Sequence, residues 1–152
     1  MKTHFFKNFS SEILGIYPPS YQLQQSIPLY TNSVHAGFPS PADDYLEKEL
    51  DLNELIVQHP AATFYVKVQG HSMQSEGIFS GDILVVDRSL TAYNKNIIIA
   101  VLDGEFTVKR LVKEENNIYL TSENNSDRRI KINPESQFEV WGVVTYVIHK
   151  TY

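Results

Sequence analysis

Residues 96–112 read NIIIAVLDGEFTVKRLV, and this stretch decides the fold class. Two runs of β-branched and aromatic residues flank Asp103-Gly104, a dipeptide typical of tight β-hairpin turns, and Asn116-Asn117 further on is a weaker second turn. Four more runs of similar composition occur after Pro60, at Thr63–Val68, Ile83–Val86, Ile118–Thr121 and Phe138–Ile148. We therefore predict a mostly β domain.

The first 36 residues differ from this β-rich part of the chain. Pro18, Pro19 and Pro28 interrupt any long helix or strand, yet the segment holds six aromatic residues, more than a solvated tail usually carries. We predict an extended N-terminal arm over residues 1–36 that packs against a folded surface.

Two short helices are predicted between the arm and the strands. The first begins after Pro41, where acidic residues precede Leu46 and Leu50 at helical spacing. The second begins at Asp51, which has an acidic residue three positions on, and it ends before Pro60. The predicted order is an arm, two small helices and a β domain.

Composition limits the classes of function. The 152 residues are 42% hydrophobic, enough for one packed domain with an arm, and a net charge of -5 argues against direct binding of nucleic acid through its phosphates. The absence of cysteine excludes disulfides, thiolate metal sites and cysteine nucleophiles, and it is consistent with a reducing bacterial cytoplasm. No stretch has the uninterrupted apolar character of a signal peptide or a membrane span, so we expect neither export nor membrane anchoring.

Ser72 and Lys109 are the candidate chemical groups. Ser72 stands in a GHSM segment between predicted strands, whereas Lys109 lies on the strand that begins at Glu105 and shares a face with Thr107. A serine hydroxyl becomes a good nucleophile when a base takes its proton, and a lysine is such a base when an apolar site keeps it neutral. Residue types alone leave two interpretations open: a Ser/Lys pair, or a lysine that extends to water and a serine that caps a turn.

Four segments together resemble the LexA/UmuD family of self-cleaving serine peptidases, peptidase S24. They are GHSM at 70–73, GDILVVD at 81–87, DGEFTVKRL at 103–111 and GVV at 142–144. The likeness extends over residues 37–149, and it is closer on the UmuD side, because residues 37–45, 51–53 and 58–60 resemble those that follow the cleavage site there. The resemblance implies a LexA/signal-peptidase-like β domain over residues 37–152.

The resemblance also implies roles for individual residues. Ser72 would be the nucleophile, Lys109 the general base and Ala36-Gly37 the scissile bond, so that residues 1–36 would be removed by self-cleavage. The backbone amides of His71 and Ser72 are candidates for the oxyanion hole. Alanine at position 36, where UmuD relatives often have cysteine, is similar to the LexA repressors. A Ser/His/Asp triad built on His71 is disfavoured, because adjacent residues rarely aim at one another as nucleophile and base.

The remaining polar residues predict no cofactor. The five histidines show no metal-ligand spacing, so we expect neither a metal nor another cofactor. Arg128-Arg129 with Lys131 is a small basic run, more typical of a solvated loop than of a nucleic-acid contact. Trp141 is expected in the core or at a dimer contact.

The family likeness further implies a role in the bacterial SOS response. Cleavage would be stimulated by the RecA filament on single-stranded DNA, and the shortened homodimer would join a UmuC-like Y-family polymerase for error-prone translesion synthesis. Two alternatives remain. One is a LexA-like repressor, although residues 1–36 are short and proline-broken for a helix-turn-helix. The other is a non-enzymatic dimeric adaptor with a decayed dyad, although both Ser72 and Lys109 are retained.

Overall fold

The computed structural model describes residues 12–19, 27–30, 46–122 and 128–152, which divide into two compact units. One unit comprises the described residues of 1–19 and 59–152, and the other comprises those of 20–58. Within these ranges, no helix has the length and apolar character needed to cross a membrane.

The strands account for most of the regular structure, and they are numbered in chain order. The second unit holds β2 (Ile27–Tyr30), β3 (Leu46–Leu50) and a short helix, α1 (Leu52–Ile56). The first unit holds β1 (Ile13–Tyr17), β4 (Thr63–Val68), β5 (Ile83–Asp87), β6 (Ile97–Leu102), β7 (Glu105–Glu114), β8 (Asn117–Thr121), β9 (Ile130–Ile132) and β10 (Phe138–Ile148). The prediction of a mostly β domain is confirmed.

The strands of the first unit form one antiparallel sheet in the order β1-β4-β5-β10-β6-β7-β8-β9. The long strand β10 lies between β5 and β6, and its register shifts between Val144 and Tyr146 on one side and between Val140 and Gly142 on the other. Such irregularities increase the local twist of a strand. The sheet therefore places β1 and β4 at one end of the strand order and the β6–β7 hairpin nearer the other.

The β6–β7 hairpin turns where the sequence predicts. Asp103 and Gly104 both have positive φ, 50° and 86°, as the central residues of a type I′ turn require. The next turn, from β7 to β8, is centred on Glu115 and Asn116, with Glu115 at φ 50°. The prediction at Asn116-Asn117 was therefore one residue too late.

The first of the two predicted helices is wrong. Leu46–Leu50 is strand β3, paired antiparallel with β2, while residues 41–45 lie outside the described residues. A spacing of four between two leucines fits the helical repeat and the two-residue strand repeat equally well, so cross-strand pairing decides between them. The second predicted helix is α1, and the Asp51 side chain caps it by accepting a hydrogen bond from the Asn53 amide at 2.8 Å.

Two groups of buried apolar side chains form the core of the first unit. In the larger group, the indole of Trp141 packs against Phe64 and Phe106 with ring centroids 5.3 and 5.7 Å away. This group also includes Ile13 of β1 and Val108 of β7, which are 3% and 2% exposed. The smaller group includes Ile98, Leu111 and Leu120. The larger core thus holds β1 and β7 in place, and the polar site described next lies beside these two strands.

Candidate active site

The pairing of β1 with β4 brings the arm to the site. Ile13 lies opposite Val68 and Tyr17 lies opposite Tyr65, and the Gln69 amide donates a 2.7 Å hydrogen bond to the carbonyl of Glu12. Backbone pairing therefore sets the position of Glu12 at the end of β4, immediately before the segment that carries Ser72.

Ser72 lies in a compact turn after β4. Gly70 and Gly77 bound this turn with φ of 98° and 78°, values that favour glycine. A single 3₁₀ turn at Gln74–Glu76 follows Ser72, with the Glu76 amide donating to the Met73 carbonyl at 3.0 Å. Met73 is 4% exposed, so its burial fixes the turn onto the core while Ser72 stays half-buried. The predicted position of Ser72, in a loop or short helical turn between strands, is confirmed.

Lys109 lies in the middle of β7, opposite Ile98 of β6. It is 7% exposed, and the expectation that its strand removes it from water is confirmed. Lys109 is therefore not a lysine that extends to water, the second interpretation that the sequence left open. A buried ammonium group needs a partner inside the protein. That partner comes from the arm.

The carboxylate of Glu12 joins all the polar groups of the site. Ser72 Oγ donates to Glu12 Oε1 at 2.6 Å, and Thr107 Oγ1 donates to Oε2 at 2.8 Å. Lys109 Nζ lies 3.3 Å from Oε2 and 3.5 Å from Oε1. Burial acts to raise the pKa of Glu12, but the bond from Ser72, the charge of Lys109 and the bond from Thr107 together hold that pKa below its usual value. Ser72 and Lys109 thus converge on one carboxylate.

The turn that carries Ser72 is also tied directly to β7. Arg110 Nε donates to Glu76 Oε1 at 2.9 Å, and Arg110 Nη2 pairs with the other carboxylate oxygen. The hydrogen bond from Arg110 lowers the pKa of Glu76. Burial acts to raise this pKa, and the positive charge of Arg110 acts to lower it further. Because Arg110 follows Lys109 in the chain, this two-pronged pair holds the Ser72 turn against the strand that carries the lysine.

A small cleft beside Ser72 has mostly apolar walls. Its lining includes Val68, Met73, Ile78, Phe79 and Val108, together with Glu12 and the backbone of Gly70. Apolar walls reduce the hydration of polar groups at the cleft and strengthen electrostatic interactions between them. These apolar walls lie next to the serine hydroxyl.

The other predicted site residues have different outcomes. Ala36 and Gly37, the predicted scissile pair, lie outside the described residues. The ring of His71 contacts Gln74 Nε2 at 2.9 Å and is exposed, while the Ser72 hydroxyl donates to Glu12. The roles of the His71 and Ser72 backbone amides in an oxyanion hole remain a prediction.

Two further histidines pair with buried aspartates rather than with the serine. His59 Nδ1 lies 2.6 Å from Asp87, and His149 Nδ1 lies 2.6 Å from Asp82. Ser89 also donates to Asp87 through both its hydroxyl and its amide. Among the described residues, no group of three histidine or acidic side chains is arranged to hold a metal ion.

Sequence reasoning missed Glu12, Thr107 as its partner, and the pair of Glu76 with Arg110. The apolar run Ile13-Leu14-Gly15-Ile16-Tyr17 is a strand signal that indicates β1. No local pattern indicates its partner strand, because the contact of Glu12 with Ser72 spans 60 positions and that with Lys109 spans 97.

The match to a known protein family includes both Ser72 and Lys109. The model of a family described as Peptidase S24-like matches residues 28–145. Protein SamA of Salmonella typhimurium is 45% identical over 145 residues, which cover 91% of this chain and 96% of SamA. Protein MucA of Escherichia coli is 46% identical over 123 residues, covering 80% of this chain and 83% of MucA. The LexA repressor of Glaesserella parasuis is 36% identical over 126 residues, covering 82% of this chain but 59% of the repressor.

Proposed function

This chain belongs to the peptidase S24 family, the LexA/UmuD family of self-cleaving serine peptidases, and we propose that it cuts its own Ala36-Gly37 bond with Ser72 and Lys109. The observation that carries this proposal is the convergence of Ser72 Oγ and buried Lys109 Nζ on a single carboxylate, each within hydrogen-bonding distance of it. Two side chains that reach one carboxyl group are also close enough for proton transfer after a small side-chain movement.

The reaction follows from the chemistry of these two groups. Neutral Lys109 takes the proton of the Ser72 hydroxyl as Oγ attacks the carbonyl carbon of Ala36, and backbone amides at His71 and Ser72 stabilise the oxyanion. The tetrahedral intermediate collapses, the C–N bond breaks, and the proton passes from Lys109 to the new amino group of Gly37. Lys109 then takes a proton from water as the water oxygen attacks the carbonyl carbon of the Ser72 ester. The ester C–O bond breaks, the proton passes from Lys109 to Ser72 Oγ, and the Ala36 carboxyl group is released.

The apolar cleft beside Ser72 supports the choice of bond. The methyl side chain of Ala36 matches a small apolar recess, and Gly37 on the other side of the bond lets the backbone approach closely. The product would be residues 37–152, which retain Ser72, Lys109 and the sheet from β4 to β10.

Family membership also supports a place in the bacterial SOS response. We propose that the RecA filament on single-stranded DNA stimulates cleavage, and that the shortened chain acts in the cytoplasm as a homodimer with a UmuC-like Y-family polymerase. Net charge of -5 favours action through proteins rather than through direct contact with DNA. The repressor alternative is weakened because residues 13–17 and 27–30 are strands, whereas a helix-turn-helix needs helices.

The experiment is an incubation of purified full-length protein at neutral and alkaline pH, with and without RecA, single-stranded DNA and a nucleotide, followed by intact mass measurement. We expect a fragment that begins at Gly37, formed faster as pH rises because the lysine base must lose its proton. Ser72→Ala should abolish the fragment. Lys109→Arg should abolish it as well, because arginine keeps the positive charge beside Glu12 but does not release its proton.

Three results would contradict the proposal. Cleavage retained in either folded variant would remove that residue from the dyad. A rate that is flat or falls with pH in folded protein would exclude a lysine base. Absence of cleavage under every condition would favour the dimeric adaptor, and the RecA comparison separately tests the link to DNA damage.

A further inference from the structure

The occupant of the site is a segment of the chain itself. Glu12 belongs to the arm that carries the proposed scissile bond, and its side chain is only 21% exposed between Ser72 and Lys109. Backbone bonding of β1 to β4 and burial of Ile13 hold this residue in place. Strand pairing and core packing therefore position the Glu12 side chain in the site, unlike an ion pair between two solvent-exposed side chains.

The contact opposes the proton transfer that cleavage requires. Glu12 Oε1 accepts a hydrogen bond from the Ser72 hydroxyl, so the hydroxyl proton points at a carboxylate instead of at the lysine. The same carboxylate also pairs with Lys109, with 3.3 Å between Nζ and Oε2, so Glu12 engages the proposed base as well as the proposed nucleophile. Among the described residues, Lys109 is the charged group within hydrogen-bonding distance of Glu12, and Ser72 and Thr107 are its neutral hydrogen-bond donors.

We propose that Glu12 is an inhibitory ligand of the Ser72/Lys109 dyad, and that the dyad becomes active only when β1 leaves the edge of β4. This inference rests on the proposed function and names the regulation of the same site. While β1 is paired, the edge of β4 nearest Ser72 is occupied, and an extended substrate segment has no free strand edge there. Release of β1 exposes this edge and removes the carboxylate in one movement.

The test compares self-cleavage rates, without any partner protein, in the wild type, Glu12→Ala and Glu12→Gln. Charge-assisted hydrogen bonds of this kind shift an equilibrium by roughly tenfold or more, so we expect at least that increase in rate in both variants. Glu105→Gln is the matched control, because it removes the same charge from an exposed position at the start of β7. Glu12→Ala combined with Ser72→Ala must be inactive.

A second readout does not depend on cleavage. In a Ser72→Ala background, Glu12→Gln should increase hydrogen exchange of the β1 amides while leaving those of β6 and β7 unchanged. Unchanged exchange in β1 would show that Glu12 does not hold the strand.

The outcomes separate this inference from the proposed function. An active wild type that Glu12→Ala does not accelerate, or slows, would overturn the inhibitory role and leave the peptidase intact. If the wild type does not cleave itself but the Glu12→Ala variant does, the result would support both the peptidase activity and the inhibitory role of Glu12. If no variant, Glu12→Ala included, cleaves itself alone but the wild type is cut when RecA and single-stranded DNA are added, the inhibitory role is overturned and the peptidase is not. Absence of cleavage in every variant with RecA present as well would overturn both proposals.

Discussion

At the residue scale, two adjacent cations of β7, buried Lys109 and half-buried Arg110, have different partners. Arg110 forms a bidentate ion pair with Glu76. Lys109 instead shares the carboxylate of Glu12 with the hydroxyl groups of Ser72 and Thr107. A guanidinium keeps its proton at any physiological pH, while an ammonium group in an apolar site can lose it. Under the proposed mechanism, Lys109 is therefore suited to act as a base and Arg110 is not.

The lowered pKa of Glu12 gives a prediction about pH and stability. A carboxyl group whose pKa falls on folding adds stability above its unfolded value, near 4.5, and loses it as pH falls through the lower folded value. We expect Glu12→Gln to lower the melting temperature at pH 7, because Lys109 is left without its counter-charge. The difference from wild type should shrink as pH falls below about 4.5.

Thermal unfolding of intact wild type and intact Glu12→Gln protein from pH 7 to pH 3 measures this difference, with Ser72 retained because its hydroxyl helps to lower the Glu12 pKa and with the intact chain verified by mass. Other acidic groups with lowered pKa, such as Asp87 and Glu76, are present in both proteins and cancel in the comparison. A difference that is independent of pH would contradict the assignment of the charge to Glu12.

At the element scale, β10 meets β5 at unusually close range. A Cβ at Gly142 would lie 2.6 Å from Val86 Cγ1, and Val86 is fully buried. Glycine at this point of β10 is therefore required by packing, and it lies at one of the register shifts of the strand. The close approach brings β10 and Trp141 onto the larger core.

We expect Gly142→Ala to lower the free energy of unfolding by about 1–3 kcal/mol, because the extra methyl group forces the strands apart. Urea unfolding of the Ser72→Ala protein measures this. Val86→Ala removes the obstructing methyl groups, so Gly142→Ala should cost less in that background. An equal cost with and without Val86 would show that the contact is not the cause.

At the scale of the whole molecule, the arm is the proposed substrate, and its strand β1 is also part of the sheet. Strand β1 completes one end of the sheet order, and Ile13 contributes to the larger core. Self-cleavage at residue 36 would separate this strand from the chain that holds β4. The reaction would then change the edge of the sheet as well as the length of the protein.

We expect the protein of residues 37–152 to unfold at lower urea concentration than intact Ser72→Ala protein at equal concentration. Loss of a buried isoleucine costs about 1.5–3 kcal/mol, and loss of the β1 pairing adds to it. Adding a peptide of residues 10–19 should restore part of the difference. Equal midpoints for the two proteins would show that β1 adds nothing to the stability of the sheet.

Prediction from sequence succeeded where short-range rules act. The Asp103-Gly104 turn was found because two adjacent residues determine its geometry, and β4 was found over its full length because β-branched and aromatic residues occupy five of its six positions. The prediction of a helix at Leu46–Leu50 failed because a spacing of four fits either repeat. The arm was predicted as extended, but neither β1 nor its partner strand was identified.

The sequence by itself determined the mostly β fold, the family, and Ser72 with Lys109 as the candidate pair, because turn residues, strand composition and short segments are local properties of the chain. Only the tertiary structure decided that Glu12 lies between them and that Glu76 pairs with Arg110. These contacts depend on the register between β1 and β4 and on the packing of the Ser72 turn against β7. Such long-range pairing is set by the free energy of the whole sheet, and no local pattern records it.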